Sequence, residues 1–145
     1  MPGITNPTEE YFKDGTWGWD GTQWRKLNLV WGYYDRLIER QYDLSAAAGA
    51  NTLTFTTVPA GEVWVYTTVT AVDVNTNPTS IIVNTVSGGI TYIAMAWLSP
   101  GANGYRQISG PFILKAGDCL TVTITGCALN DDLWAWATGY KMKVS

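Results

Sequence analysis

The chain contains no histidine. That removes the usual neutral-pH general base, the Ser-His-Asp and Cys-His nucleophile systems, and imidazole-ligated metals. Few other groups could do chemistry. Glu62, Asp73, Asp118 and Asp131 could in principle supply the paired carboxylates of glycoside hydrolysis, but Glu62 and Asp118 follow two similar Ala-Gly turns that a fold explains by itself. Asn130-Asp131-Asp132 sets three oxygen-bearing side chains in a row. A calcium site takes roughly six to eight oxygens, so a turn ending in solvated acids is the simpler reading of Asp131 and Asp132. No phosphate-cradling glycine loop, metal-spaced cysteine pair or activated nucleophile is present. The expectation is a protein that is not an enzyme, with no cofactor and no metal.

Cys119 and Cys127 flank one alternating apolar run. Eight residues of strand span about 26 Å, far beyond the roughly 6 Å between Cα atoms that a disulfide needs. Two free thiols are expected, acting as small buried hydrophobes.

The residues left to recognise something are aromatic. In Thr16-Trp-Gly-Trp-Asp-Gly-Thr-Gln-Trp-Arg25, Asp20-Gly21 suits a two-residue type I′ turn, which sets Trp19 opposite Thr22 and Trp17 across from Trp24. A hairpin alone is marginal in water, so these indoles should pack on the domain or on a neighbour. The functional alternative is a sugar platform built from Trp17, Trp19, Trp24 and Trp31. Arg25, Tyr33 and Tyr34 join these tryptophans as anchor candidates. Near the C-terminus Trp134 and Trp136 share one face of a strand, with Tyr140 beyond, while Leu133, Ala135 and Ala137 share the other. Either the indoles form a broad subunit contact over an alanine-lined core, or they are the core and the alanines face out.

The elements that must position these residues divide by composition. Residues 1–45 carry twelve of the 21 charged residues and four of the eight tryptophans, which suggests an arm with a hairpin, joined through Ser45-Ala-Ala-Ala-Gly-Ala-Asn51 to a body over residues 46–145. Within the arm, Ile38, Arg40, Tyr42 and Leu44 alternate with Leu37, Glu39, Gln41 and Asp43, which favours a strand over a helix. The body reads as strands near 52–58, 62–72, 79–86, 90–98, 105–108, 111–114, 119–125 and 133–142, punctuated by Gly, Pro and Asn turns. Leu120, Val122 and Ile124 alternate with threonines, as in a half-buried antiparallel strand. Val58-Pro-Ala-Gly-Glu-Val-Trp-Val65 is echoed by Leu114-Lys-Ala-Gly-Asp-Cys-Leu-Thr121. Two Greek keys would place such turns at equivalent corners. The fold expected is all-β, an antiparallel jelly-roll-like β-sandwich with an extended N-terminal arm or hairpin.

Nine Lys and Arg against twelve Asp and Glu give a net charge of -3, the wrong sign for neutralising phosphates, so nucleic acid is not an expected partner. The opening residues lack a basic stretch followed by an apolar one, and no run of eighteen apolar residues follows, so neither a secretion signal nor a membrane span is expected. A body rich in aromatics and poor in charge leaves apolar surface for self-association, and a homotrimer is expected.

Tyr11-Phe-Lys-Asp-Gly-Thr-Trp-Gly-Trp-Asp-Gly-Thr-Gln-Trp-Arg-Lys-Leu27 resembles the Trp-Asp-Gly-Thr-x-Trp openings of bacteriophage tail and capsid accessory proteins. The Val-Pro-Ala-Gly-Glu-Val-Trp-Val body and the terminal Thr-Gly-Tyr-Lys-Met are similar to small jelly-roll virion domains. The resemblance carries no catalytic residues. It implies a structural protein made in the host cytoplasm and localised to the virion, often trimeric, with an N-terminal arm reaching its neighbours. The leading expectation is a capsid decoration (cement) protein bound to the major capsid protein or other virion proteins. The alternative is a tail or head fibre domain that recognises host-surface glycan.

Overall fold

The computed structural model describes residues 17–19, 22, 24–26, 35–101 and 104–143. Their regular structure is entirely β: β1 (Trp17–Trp19), β2 (Trp24–Lys26), β3 (Asp35–Asp43), β4 (Gly49–Thr54), β5 (Glu62–Asp73), β6 (Ser80–Ser87), β7 (Ile90–Leu98), β8 (Arg106–Lys115), β9 (Cys119–Cys127) and β10 (Leu133–Lys143). β1 and β2 form a hairpin; the other eight make two antiparallel four-stranded sheets, ordered β3-β10-β5-β8 and β4-β9-β6-β7. Two such sheets, with successive strands crossing repeatedly between them, are a jelly-roll sandwich. The expected strands 105–108 and 111–114 are one strand, β8, which runs through Pro111 with a register shift opposite Tyr66 and Thr68. As an edge strand it tolerates a proline that a central strand would not.

Alternation explains which face each strand buries. Leu120, Val122 and Ile124 of β9 are fully buried and meet Ile81 and Val83 of β6. From the opposite sheet come Tyr66, Val69, Ala71, Leu133, Ala135 and Ala137. Each fully buried branched side chain stabilises by about 1.5–3 kcal/mol. Alanines line the inner face of β10, so its indoles stand on the outer face, which decides between the two sequence readings of that strand.

The echoed turns are neighbours in space. Gly117 N–H donates to Val58 O and Val58 N–H donates to Asp118 O, both at 2.9 Å. Gly61 and Gly117 turn the chain at φ +77° and +87°, a region where any side chain is strained. Each turn carries the chain from one sheet to the other, which accounts for the repeat.

Two expectations require correction. Residues 35–43, assigned by composition to the arm, are a full strand of the sandwich, paired with β10 from Leu133↔Asp43 to Lys141↔Asp35. The sandwich therefore extends N-terminal of residue 46. β3 is charged because it is a sheet edge, and charge there prevents pairing with foreign strands. In the hairpin, Trp24 lies opposite Trp19, Gly18 opposite Arg25, and Trp17 opposite Lys26. Four residues separate the strands where a two-residue turn would place Trp17 across from Trp24, so the register moves by two.

Candidate functional site

The outer face of β3-β10-β5-β8 brings an aromatic row together. In an antiparallel sheet directly paired residues share a face, and the register places Tyr42 beside Trp134, and Trp136 between Arg40 and Thr70. Tyr42 stacks on Trp134 with ring centroids 5.2 Å apart, Trp134 on Trp136 at 5.9 Å, and Trp136 meets Tyr105 at 6.0 Å. The row starts on the β3 edge and ends at the residue preceding β8, so it crosses the whole sheet. Arg106 holds that far end: its guanidinium donates to Pro100 O and, at 3.2 Å, to Tyr105 O. Val72, paired with Trp134, is fully covered beneath the rings.

Arg40 completes the site. Its guanidinium carbon lies 5.4 Å from the Tyr42 ring centroid and 5.3 Å from that of Trp134, a cation–π arrangement that holds the side chain in place. No carboxylate among the described residues pairs with it. The described carboxylates of these strands, Glu39, Asp43, Glu62 and Asp73, stand in the opposite, inward rows. Two of them are bonded there by aromatic side chains: Tyr66 Oη–H donates to Glu39 Oε2, and Trp64 Nε1–H donates to Glu62 Oε2 at 2.6 Å. Burial, reinforced by Glu39, pushes the Tyr66 phenol far above its ordinary pKa.

Asp73, Asp118 and Asp131, among the acids considered for catalysis or calcium, fall into structural roles at the two ends of the sandwich. Asp118 Oδ2 accepts Lys115 N–H at 3.1 Å, closing its turn. At the other end Asp131 is buried; its Oδ2 accepts Ala128 N–H at 2.6 Å and its Oδ1 accepts Thr76 Oγ1–H at 2.9 Å. Asp73 Oδ1 accepts Asn75 and Thr76 N–H, and Asp73 Oδ2 is buried without a partner. Burial raises the Asp73 pKa, two backbone donors oppose the rise, and Asp131 adds to it. At 1% and 3% exposure, Asp73 and Asp131 are closed to any substrate. Among the described residues no group of three His, Cys, Asp or Glu side chains is placed to hold a metal. Cys119 and Cys127, at opposite ends of β9, are free thiols. Burial raises the pKa of both.

Of the anchor residues read from sequence, Trp134 and Trp136 join the aromatic row. Trp17, Trp19, Trp24 and Arg25 lie in the β1–β2 hairpin, and Trp31, Tyr33 and Tyr34 lie outside the described residues. Tyr42, Tyr105 and Arg40 are additional members of the site. The alternation of residues 37–44 hinted at the first and third, because β3 turns Ile38, Arg40 and Tyr42 outward and Leu37 inward.

A second surface is β7, the edge of the other sheet. Ile90-Thr-Tyr-Ile-Ala-Met-Ala-Trp-Leu98 has neither charge nor proline, and Ile93 and Leu98 are 69% and 80% exposed. β3 and β8 carry charged residues, and β8 also Pro111, whereas β7 has none of these protections.

No protein-family model matches the chain, and no curated protein is significantly similar to it.

Proposed function

We propose that this chain is a non-catalytic structural protein of a bacteriophage virion, a capsid decoration protein that assembles as a homotrimer on the particle. The observation that carries the reading is β7. A nine-residue apolar edge with no charge to repel a partner is an association surface. Virion likeness in the Trp-Asp-Gly-Thr-Gln-Trp segment and the jelly-roll fold supports the setting. A closed trimer is heterologous, so β7 of one copy meets a different surface of the next. The uncharged edge β4 is suited to that role. Four alternating strands end in antiparallel edges, so a β7-to-β4 join continues the antiparallel order. The N-terminal segment with its Trp hairpin then reaches the major capsid protein.

Purified protein mixed with empty capsid shells of the phage that encodes it should bind them and raise their melting temperature. Ile93→Lys, which charges the β7 edge, should abolish trimer formation while leaving the circular dichroism spectrum intact. Failure of the wild type to bind shells would overturn the proposal.

A further inference from the structure

We infer that the outer face of β3-β10-β5-β8 is a binding site for an extended acidic saccharide, centred on Arg40 and the Tyr42, Trp134, Trp136, Tyr105 row. The inference is independent of assembly through β7, which belongs to the other sheet, so both surfaces can be occupied at once.

Charge is the first argument. The chain is acidic, at net -3, yet the outward rows of this sheet hold Arg36, Arg40 and Lys115, and every described carboxylate of its strands points the other way. The described cations of these strands divide evenly, Arg106, Lys141 and Lys143 standing in the inward rows with the carboxylates. What sets the outer face apart is that its rows hold cations and no described carboxylate, which makes it complementary to an anionic ligand. The second argument is preorganisation. Arg40 is stacked over two rings and lacks a carboxylate partner among the described residues, so its planar N–H fork is held ready for a ligand carboxylate.

The third argument is ring geometry. Tyr42, Trp134 and Trp136 are stacked at 5.2 and 5.9 Å between centroids and Tyr105 meets Trp136 tilted by 32° at 6.0 Å, so each ring covers part of the next. What they offer outward is edges, the electropositive part of the quadrupole, together with the open sides of Tyr42 and Tyr105, which are 52% and 60% exposed. Edges and guanidinium attract oxygen-rich, negatively charged groups. Thr68, Thr70, Thr138, Gln107 and Ser109 share the outward rows and supply the donors and acceptors that sugar hydroxyls use. A row running from one sheet edge to the other fits a linear chain better than a compact headgroup.

The test uses the full-length protein in calorimetric titrations with four probes: oligogalacturonate, neutral dextran oligomers of matched length, dextran sulfate and poly-L-glutamate. Oligogalacturonate should bind and neutral dextran should not. Arg40→Gln should weaken binding by about tenfold or more with an unchanged melting temperature, and Arg40→Lys should recover only part of it. Tyr105→Ala, at an exposed ring, should also weaken binding. Shell binding should be unaffected by all three substitutions, which separates this site from the assembly proposal. Absence of oligogalacturonate binding, or equal binding of neutral dextran, would overturn the inference. Tighter Arg40-dependent binding of poly-L-glutamate would overturn it by assigning the face to an acidic protein. Dextran sulfate binding that ignores Arg40→Gln would reduce the effect to unspecific charge and overturn it as well.

Discussion

Removing residues 1–45 and removing residues 1–34 should have opposite consequences, although the two truncations differ by only eleven residues. The longer deletion takes away β3, which pairs with β10 at nine positions. Leu37 is 94% buried by that pairing, being 6% exposed, and its loss costs about 1.5–3 kcal/mol. Tyr66, completely buried, loses Glu39 as its hydroxyl partner, and a buried hydroxyl left unpaired costs about 1–3 kcal/mol. β10 meanwhile becomes an unprotected edge, with backbone groups that had been bonded to β3. Domains of this size are stable by roughly 5–15 kcal/mol in total, so these losses consume much of the margin. Urea denaturation followed by circular dichroism should show residues 35–145 unfolding at nearly the full-length midpoint. Residues 46–145 should unfold at a far lower midpoint or precipitate. A cooperative transition for residues 46–145 at the full-length midpoint would refute the role assigned to β3.

Other outcomes follow from single side chains. Burial raises Asp73 above the ordinary carboxylate range, so as pH rises from about 4 the unfolded chain loses this proton first and stability declines up to the folded pKa, then levels. Asp73→Asn keeps an oxygen for the Asn75 and Thr76 amides and should gain about 1 kcal/mol at pH 7, flattening that decline in urea titrations; an unchanged slope would contradict the assignment. Gly139 sits at the β10 register shift, where a Cβ would stand 1.9 Å from Val65 O. Gly139→Ala should cost roughly 3 kcal/mol or more, and a loss under 1 kcal/mol in the same assay would contradict that packing. A thiol reagent at pH 8 should label half-buried Cys119 before buried Cys127, and equal rates would argue against the burial difference. Light scattering at micromolar concentration should report a trimer for the wild type and a monomer for Ile93→Lys.

Alternation made most of the sandwich legible. The apolar run between Gly89 and Ser99 bounds β7 as observed, and the threonine alternation locates β9 but stops at residue 125, two short of its end at Cys127. What escaped were features decided by distant partners. The polar composition of residues 35–43 suggested an arm because charge marks an edge strand as readily as a linker, and only pairing with β10, about a hundred residues away, distinguishes them. Trp134 and Trp136 could be placed on a common face but not assigned inside or outside, since that depends on whether the facing sheet fills its core against alanines. Tyr105 joins the row through Arg106 and Pro100, contacts with no periodic signature. The hairpin register failed on loop length, because Asp-Gly identifies a favourable turn without requiring the chain to use it.

The measurement bearing most directly on the proposed function is a map of the phage particle carrying a tagged copy of this chain. The account predicts trimeric density on the outside of the capsid shell, with each β7 edge enclosed between copies and the Arg40 face turned toward solvent. Particles that lack the tagged protein altogether, or that hold it as isolated single copies with β7 uncovered, would contradict it.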